Sequence, residues 1–96
     1  MKKIKICGVP YKIKEVDVID ESTEGVTLGQ IIGSKGIILI KKNQPKEIKK
    51  STLFHEIFHG ILTNLGYDEL SSDETFVQSV SIAMYQMFDF KKGASK

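Results

Sequence analysis

The chain has 96 residues, 41% of them hydrophobic, and sets 14 lysines, with no arginine, against 12 carboxylates for a formal charge of +2. Such a length and apolar share imply one domain with a small core and exclude a disordered chain, while the mild charge gives no reason to expect direct contact with nucleic acid. Cys7 is the only cysteine, so no internal disulfide can form, and no run of residues has the length of a membrane span or the apolar core of a signal peptide; the expected setting is the cytoplasm, away from membranes.

In chain order, residues 3–7 and 11–18 alternate apolar and charged side chains: Ile4, Ile6, Tyr11 and Ile13, with Lys5, Lys12 and Lys14 between. That period of two predicts half-buried strands, with Gly8-Val9-Pro10 as the turn and Cys7 as a small buried hydrophobe. Residues 20–25 are polar and acidic and read as a loop. Residues 26–32 and 36–40 are β-rich and joined by Gly33-Ser34-Lys35-Gly36, a hairpin turn. The unbroken Ile37-Ile38-Leu39-Ile40 belongs in the middle of the sheet. Gly29, inside the partner strand, marks a bulge or a close approach and makes that strand the candidate to lie beside a substrate.

Pro45 opens a helix that runs to Leu65, with Glu47 in its first turn and Gly66 past its end. At about 100° per residue, Phe54, Ile57, Phe58, Ile61 and Leu65 share its core face, and His55 and His59 stand at the edge of that face, about 40° apart. Residues 67–70 are a short acidic connection. A second helix is predicted over 72–90, with Phe76, Val77, Val80, Ala83, Met84, Met87 and Phe88 buried and Glu74, Ser81 and Tyr85 along one margin; residues 91–96 are expected to fray. The fold expected is α+β: a mainly antiparallel sheet of three to four strands within residues 1–42, then two packed helices, 45–65 and 72–90, in a single domain.

The informative stretch is His55-Glu56-Ile57-Phe58-His59. Two imidazoles four residues apart on a helix can hold one metal ion, and the intervening glutamate can act as base towards a water beside that ion. A catalytic zinc takes three protein ligands and keeps one position open. These are the only histidines in the chain, so the third ligand must be a carboxylate or Cys7. Glu74 is favoured because it opens the next helix at the edge of its apolar stripe, with Asp68, Glu69 and above all Asp73 as rivals. Against it, Ser71-x-x-Glu74 also reads as a capping box. For the oxyanion of the reaction Tyr85, then Tyr67, are the candidates.

The segment Leu53-Phe54-His55-Glu56-Ile57-Phe58-His59-Gly60-Ile61-Leu62, followed by Glu74-Thr75-Phe76-Val77, resembles the compact gluzincin peptidases of phages and mobile elements, and is similar to the ImmA/IrrE family. The resemblance implies a minimal zincin-like fold, zinc held by His55, His59 and Glu74, and Glu56 as catalytic base. In that family the peptidase is often coupled to cleavage of a DNA-binding repressor. This chain departs from larger members in being short and in lacking a helix-turn-helix or sensor region, and only 14 residues separate His59 from Glu74. The function expected is hydrolysis of a peptide bond in a polypeptide substrate bound in a shallow groove; the alternatives are a non-catalytic docking module of the same fold and a hydrolase of other amides.

Overall fold

The computed structural model describes residues 2–19 and 27–94, with side chains through residue 87. The acidic loop expected at 20–25, Val26 and the side chain of Phe88 lie outside the described residues. The architecture is α+β: a four-stranded mixed sheet carrying helices on one face.

Strands β1 (Lys2–Ile6) and β2 (Val9–Val16) form an antiparallel hairpin whose turn is Cys7-Gly8. Both turn residues have positive φ, 52° and 83°, the conformation that a two-residue hairpin needs to match the twist of its strands. Cys7 is therefore exposed on the turn instead of buried in the core, and the turn comes two residues earlier than the proline suggested. Pro10 sits inside β2, at a point where pairing with the next strand over has not begun, so its missing N–H costs no ladder bond.

β3 (Gly29–Ile32) and β4 (Ile37–Lys41) form a second antiparallel hairpin through a single 3-10 turn, Gly33–Lys35, closed by Gly36 in the left-handed region at φ 63°. The strand order is β1-β2-β4-β3, and β2 and β4 run parallel. Two of the three pairings are thus antiparallel, while β4, with its apolar run Ile37-Ile38-Leu39-Ile40, takes an inner position with neighbours on both sides. β3 is a regular strand without a bulge, and it is an edge strand.

α1 (Lys46–Asn64) crosses one face of the sheet. Ile6, Tyr11, Ile38 and Ile40 form the buried core, and Leu53, Ile57 and Ile61 of α1 close it together with Ile4, Ile13 and Ile31. Gly60 is the point of closest approach: a Cβ there would lie 2.8 Å from Ile31 Cδ1 and 3.0 Å from Ile6 Cδ1. At the two ends of the crossing, Lys49 pairs with Glu15 at 2.8 Å and Asn64 Nδ2 donates to the Tyr11 hydroxyl at 3.1 Å. Leu65, expected on the core face, is the C-cap beyond the last residue of α1 and is 58% exposed.

The connection to the last helix contains a one-turn helix, α2 (Asp68–Ser71), and α3 (Glu74–Ala94) then packs along α1. Phe54 meets Tyr85 and Phe58 meets Phe76, with ring centroids 5.6 and 5.9 Å apart. The buried line of α3 runs through Val77 and Ser81, not through Ala83 and Met87, which are exposed. The small Ser81 side chain, its hydroxyl donating to the Gln78 carbonyl, lets the two helices come close and turns the apolar stripe by part of a turn. The backbone remains helical through Ala94, into the segment expected to fray. No helix among the described residues is long and apolar enough to cross a membrane.

Candidate metal centre

His55 and His59 lie on the side of α1 that faces α3, one turn apart, with ring centroids 4.8 Å from each other. Their Nε2 atoms are 3.2 Å apart. The Glu74 carboxylate spans the pair, with Oε1 3.1 Å from His55 Nε2 and Oε2 3.3 Å from His59 Nε2. One ligand atom from each of the three residues lies within 4.8 Å of the other two. The imidazoles are mostly covered, at 18% and 14% side-chain exposure, whereas Glu74 is 70% exposed, so the cluster opens to solvent on the α3 side.

The outer nitrogens decide what the inner ones can do. His55 Nδ1 lies 2.7 Å from Gln78 Oε1, an acceptor, so this nitrogen carries the proton. His59 Nδ1 lies 3.3 Å from Ser71 Oγ, which also reaches the His59 carbonyl at 3.3 Å; with the hydroxyl hydrogen on that carbonyl, Nδ1 is the donor to Ser71. In that tautomer both Nε2 atoms present lone pairs, and they converge with a carboxylate that has only lone pairs to offer. Three acceptors at such distances repel one another unless a cation lies among them. The spacing suits zinc: ligands about 2.0 Å from a tetrahedral centre are about 3.3 Å from each other.

Asp73 is excluded from this set by its local role. Its Oδ1 accepts from the Phe76 backbone N–H at 3.1 Å, the bond of an N-cap residue. Ser71 is consequently not the cap of α3, and Glu74, freed from a capping box, can reach the histidines. Ser71, Gln78 and Thr63, which bonds Ser71 Oγ at 3.1 Å, are members of the site that sequence patterning had passed over. The signal for Gln78 was available, since it stands four residues after Glu74 on the same face of α3. Ser71 had a competing local explanation, and only the fold removes it.

Glu56 lies on the β3 side of the cluster, next to His55 and against Gly29, and is 8% exposed. Lys41 N–H donates to the Leu28 carbonyl at 2.9 Å, which places Leu28 in the ladder with β4. By the alternation of an antiparallel pair, the backbone groups of Gly29 and Ile31 then face the free edge of the sheet. The Ile31 N–H is bonded to the Glu56 carboxylate. Gly29 is needed here because a Cβ would lie 2.6 Å from Thr52 Cγ2 and 3.3 Å from Glu56 Oε2. Burial pushes the Glu56 carboxyl up to about 7, with Glu74 adding to the rise and His55 and the Ile31 N–H opposing it.

Tyr85 is not brought to the cluster. Its hydroxyl donates to the Glu47 carboxylate near the start of α1, and it lies about 16 Å along α3 from Glu74 by helical rise. Tyr67 precedes α2 and is 53% exposed. Asp68 and Glu69 are exposed on α2, and Cys7 stands on the β1–β2 turn; none of them belongs to the cluster among the described residues. Comparison with protein-family models, with curated proteins and with solved structures finds no match to this chain.

Proposed function

We propose that this protein is a zinc-dependent peptidase. The observation that carries the reading is the convergence of His55 Nε2, His59 Nε2 and the Glu74 carboxylate, with both outer ring nitrogens held by Gln78 and Ser71. His55, His59 and Glu74 are the metal ligands, matching the ligand set implied by the resemblance to gluzincins. A zinc ion there supplies Lewis acidity towards a scissile carbonyl and makes a water acidic near neutral pH. Glu56 accepts the proton of the attacking water and delivers it to the departing amine; a carboxyl raised to about 7 suits a base that must also act as an acid. The outward-facing backbone of Gly29, with the carbonyl of Ile31, offers an extended polypeptide an edge to pair with, beside Glu56. A lone thiol and a regulatory peptidase of phage or mobile-element type both fit a cytoplasmic setting.

Zinc stoichiometry and hydrolysis, measured together, test this reading. Wild-type protein should bind one zinc per chain and cleave an unbiased peptide mixture, and chelation should stop cleavage. Glu56→Gln should keep the zinc and lose roughly 10²- to 10⁴-fold in rate. Protein that takes up no zinc overturns the metal site. Protein that binds zinc but cleaves nothing overturns the enzymatic reading and leaves a docking module.

A further inference from the structure

Next to the ligand cluster, on the β3 side, lies a cavity of about 340 Å³. Leu28 and Gly29 border it at the free edge of the sheet, Ile48 and Thr52 of α1 form its floor, and it reaches His55 and Glu56. Leu28 and Ile48 are 38% and 45% exposed, two large apolar side chains left uncovered at one opening. Among the described residues, no lysine, aspartate, phenylalanine or tyrosine lines it. A hydrogen-bonded set holds the walls in place: Thr52 Oγ1 donates to Gln44 Oε1 at 3.2 Å, and Gln44 Nε2 donates to the carbonyls of Lys41 and Leu28 at 2.8 and 3.2 Å. The end of β4, the start of β3 and the middle of α1 are thereby tied together around the opening.

We propose that this cavity receives one uncharged aliphatic side chain, of leucine, isoleucine or methionine size, from an extended polypeptide paired along β3, and that Leu28, Ile48 and Thr52 select it. The proposal rests on the peptidase reading for its consequence, the choice of cleavage site, but not for its physical basis. A cavity at the small end of the range for ligand sites holds a single side chain and its flanking backbone. Period two along a paired strand turns alternate substrate side chains to the α1 face, so a residue opposite Gly29 is directed towards the cavity beside Thr52. An apolar floor favours aliphatic carbon, and among the described residues the one carboxylate that lines the cavity, Glu56, is buried and held by Ile31 N–H, which disfavours an acidic guest.

The test is a titration of the isotope-labelled full chain, with and without zinc, in the Glu56→Gln form so that no peptide is consumed. The probes are acetylated, amidated tripeptides with glycine at both ends and leucine, lysine or aspartate in the centre. Amide signals of Leu28, Gly29, Ile48 and Thr52 should shift with the leucine peptide at about tenfold lower concentration than with the lysine or aspartate peptide. Ile48→Ser should remove that preference and Ile48→Met should keep it; Ile48 is exposed enough for both chains to fold, which their thermal melts verify. Equal response to the three peptides, shifts confined to other residues, or no shift at all would overturn the proposal. Failure of the peptidase reading shows separately, as absent zinc or absent hydrolysis in the wild-type chain while leucine-peptide binding at the cavity persists.

Discussion

The two long sides of α1 face different neighbours and have opposite character. Towards the sheet, Leu53, Ile57 and Ile61 close an apolar core, and Gly60 lets Ile31 and Ile6 come within contact of the helix backbone. Towards α2 and α3, Gln78 and Ser71 hold the outer nitrogens of His55 and His59 at 2.7 and 3.3 Å, and the Glu74 carboxylate lies 3.1 and 3.3 Å from the inner ones. One side is set by volume, the other by the direction of protons and lone pairs. A helix that must seat an ion can thus be rigid on one flank and polar on the other, with Glu56, between the sheet and the cluster, exposed to both influences. The comparison teaches that the metal centre and the core should fail independently.

The largest expected effect separates them most sharply. His59→Ala should abolish stoichiometric zinc binding, read by metal analysis after dialysis, while the metal-free chain melts within a few degrees of wild type. A variant that unfolds instead would mean that the histidine side is part of the core.

Glu56 couples the two sides through pH. Its carboxyl lies near 7 in the folded chain against an ordinary value of 4.5, so the folded state binds the proton more tightly than the unfolded one. In chelator-treated protein, stability should be highest at or below about pH 4.5 as far as this group is concerned, and should fall by roughly 3 kcal/mol as pH rises through 7. Denaturant titrations from pH 5 to 8 measure this, and Glu56→Gln should flatten the slope; an unchanged slope would show that Glu56 is not desolvated.

On the sheet side, Gly60→Leu would push a branched side chain into the space held by Ile31 and Ile6 and should cost about 1–3 kcal/mol. Zinc affinity of the fraction that remains folded should be close to wild type, since the imidazoles project from the other flank. The smallest effect concerns the rival carboxylate. Asp73→Ala should remove the cap of α3 and cost about 1 kcal/mol in thermal stability with no loss of zinc, whereas Glu74→Ala should lose the zinc. If the two exchange roles, the ligand assignment is wrong.

Much of the architecture was legible because its signals are local. Alternation in Ile4-Lys5-Ile6 and Tyr11-Lys12-Ile13, the glycines of residues 33–36 and the helical spacing from Phe54 to Ile61 each depend on a few neighbouring residues. The errors fall where a distant partner decides. Cys7 reads as buried until the hairpin needs a positive φ at that position. Ala83 and Met87 belong to an apolar stripe by angle, but the packing line between α1 and α3 passes through Ser81. Tyr85 occupies the same margin of α3 as Glu74 in projection, yet many turns of rise carry it to Glu47.

By itself the sequence determined the class of the fold and the pair of imidazoles on one helix with a glutamate between them, because helical and strand periodicity follow from covalent geometry. Only the tertiary structure decided which carboxylate meets those imidazoles. Asp73 and Glu74 are adjacent, and their difference arises from where α3 begins: Asp73 satisfies an orphan N–H at the helix start, and Glu74, one residue further and about 100° around, reaches across to α1. The placing of Gly29 and Ile31 over Glu56 is likewise a result of β3 taking the edge of the sheet, a choice of strand order that no local pattern in the chain records.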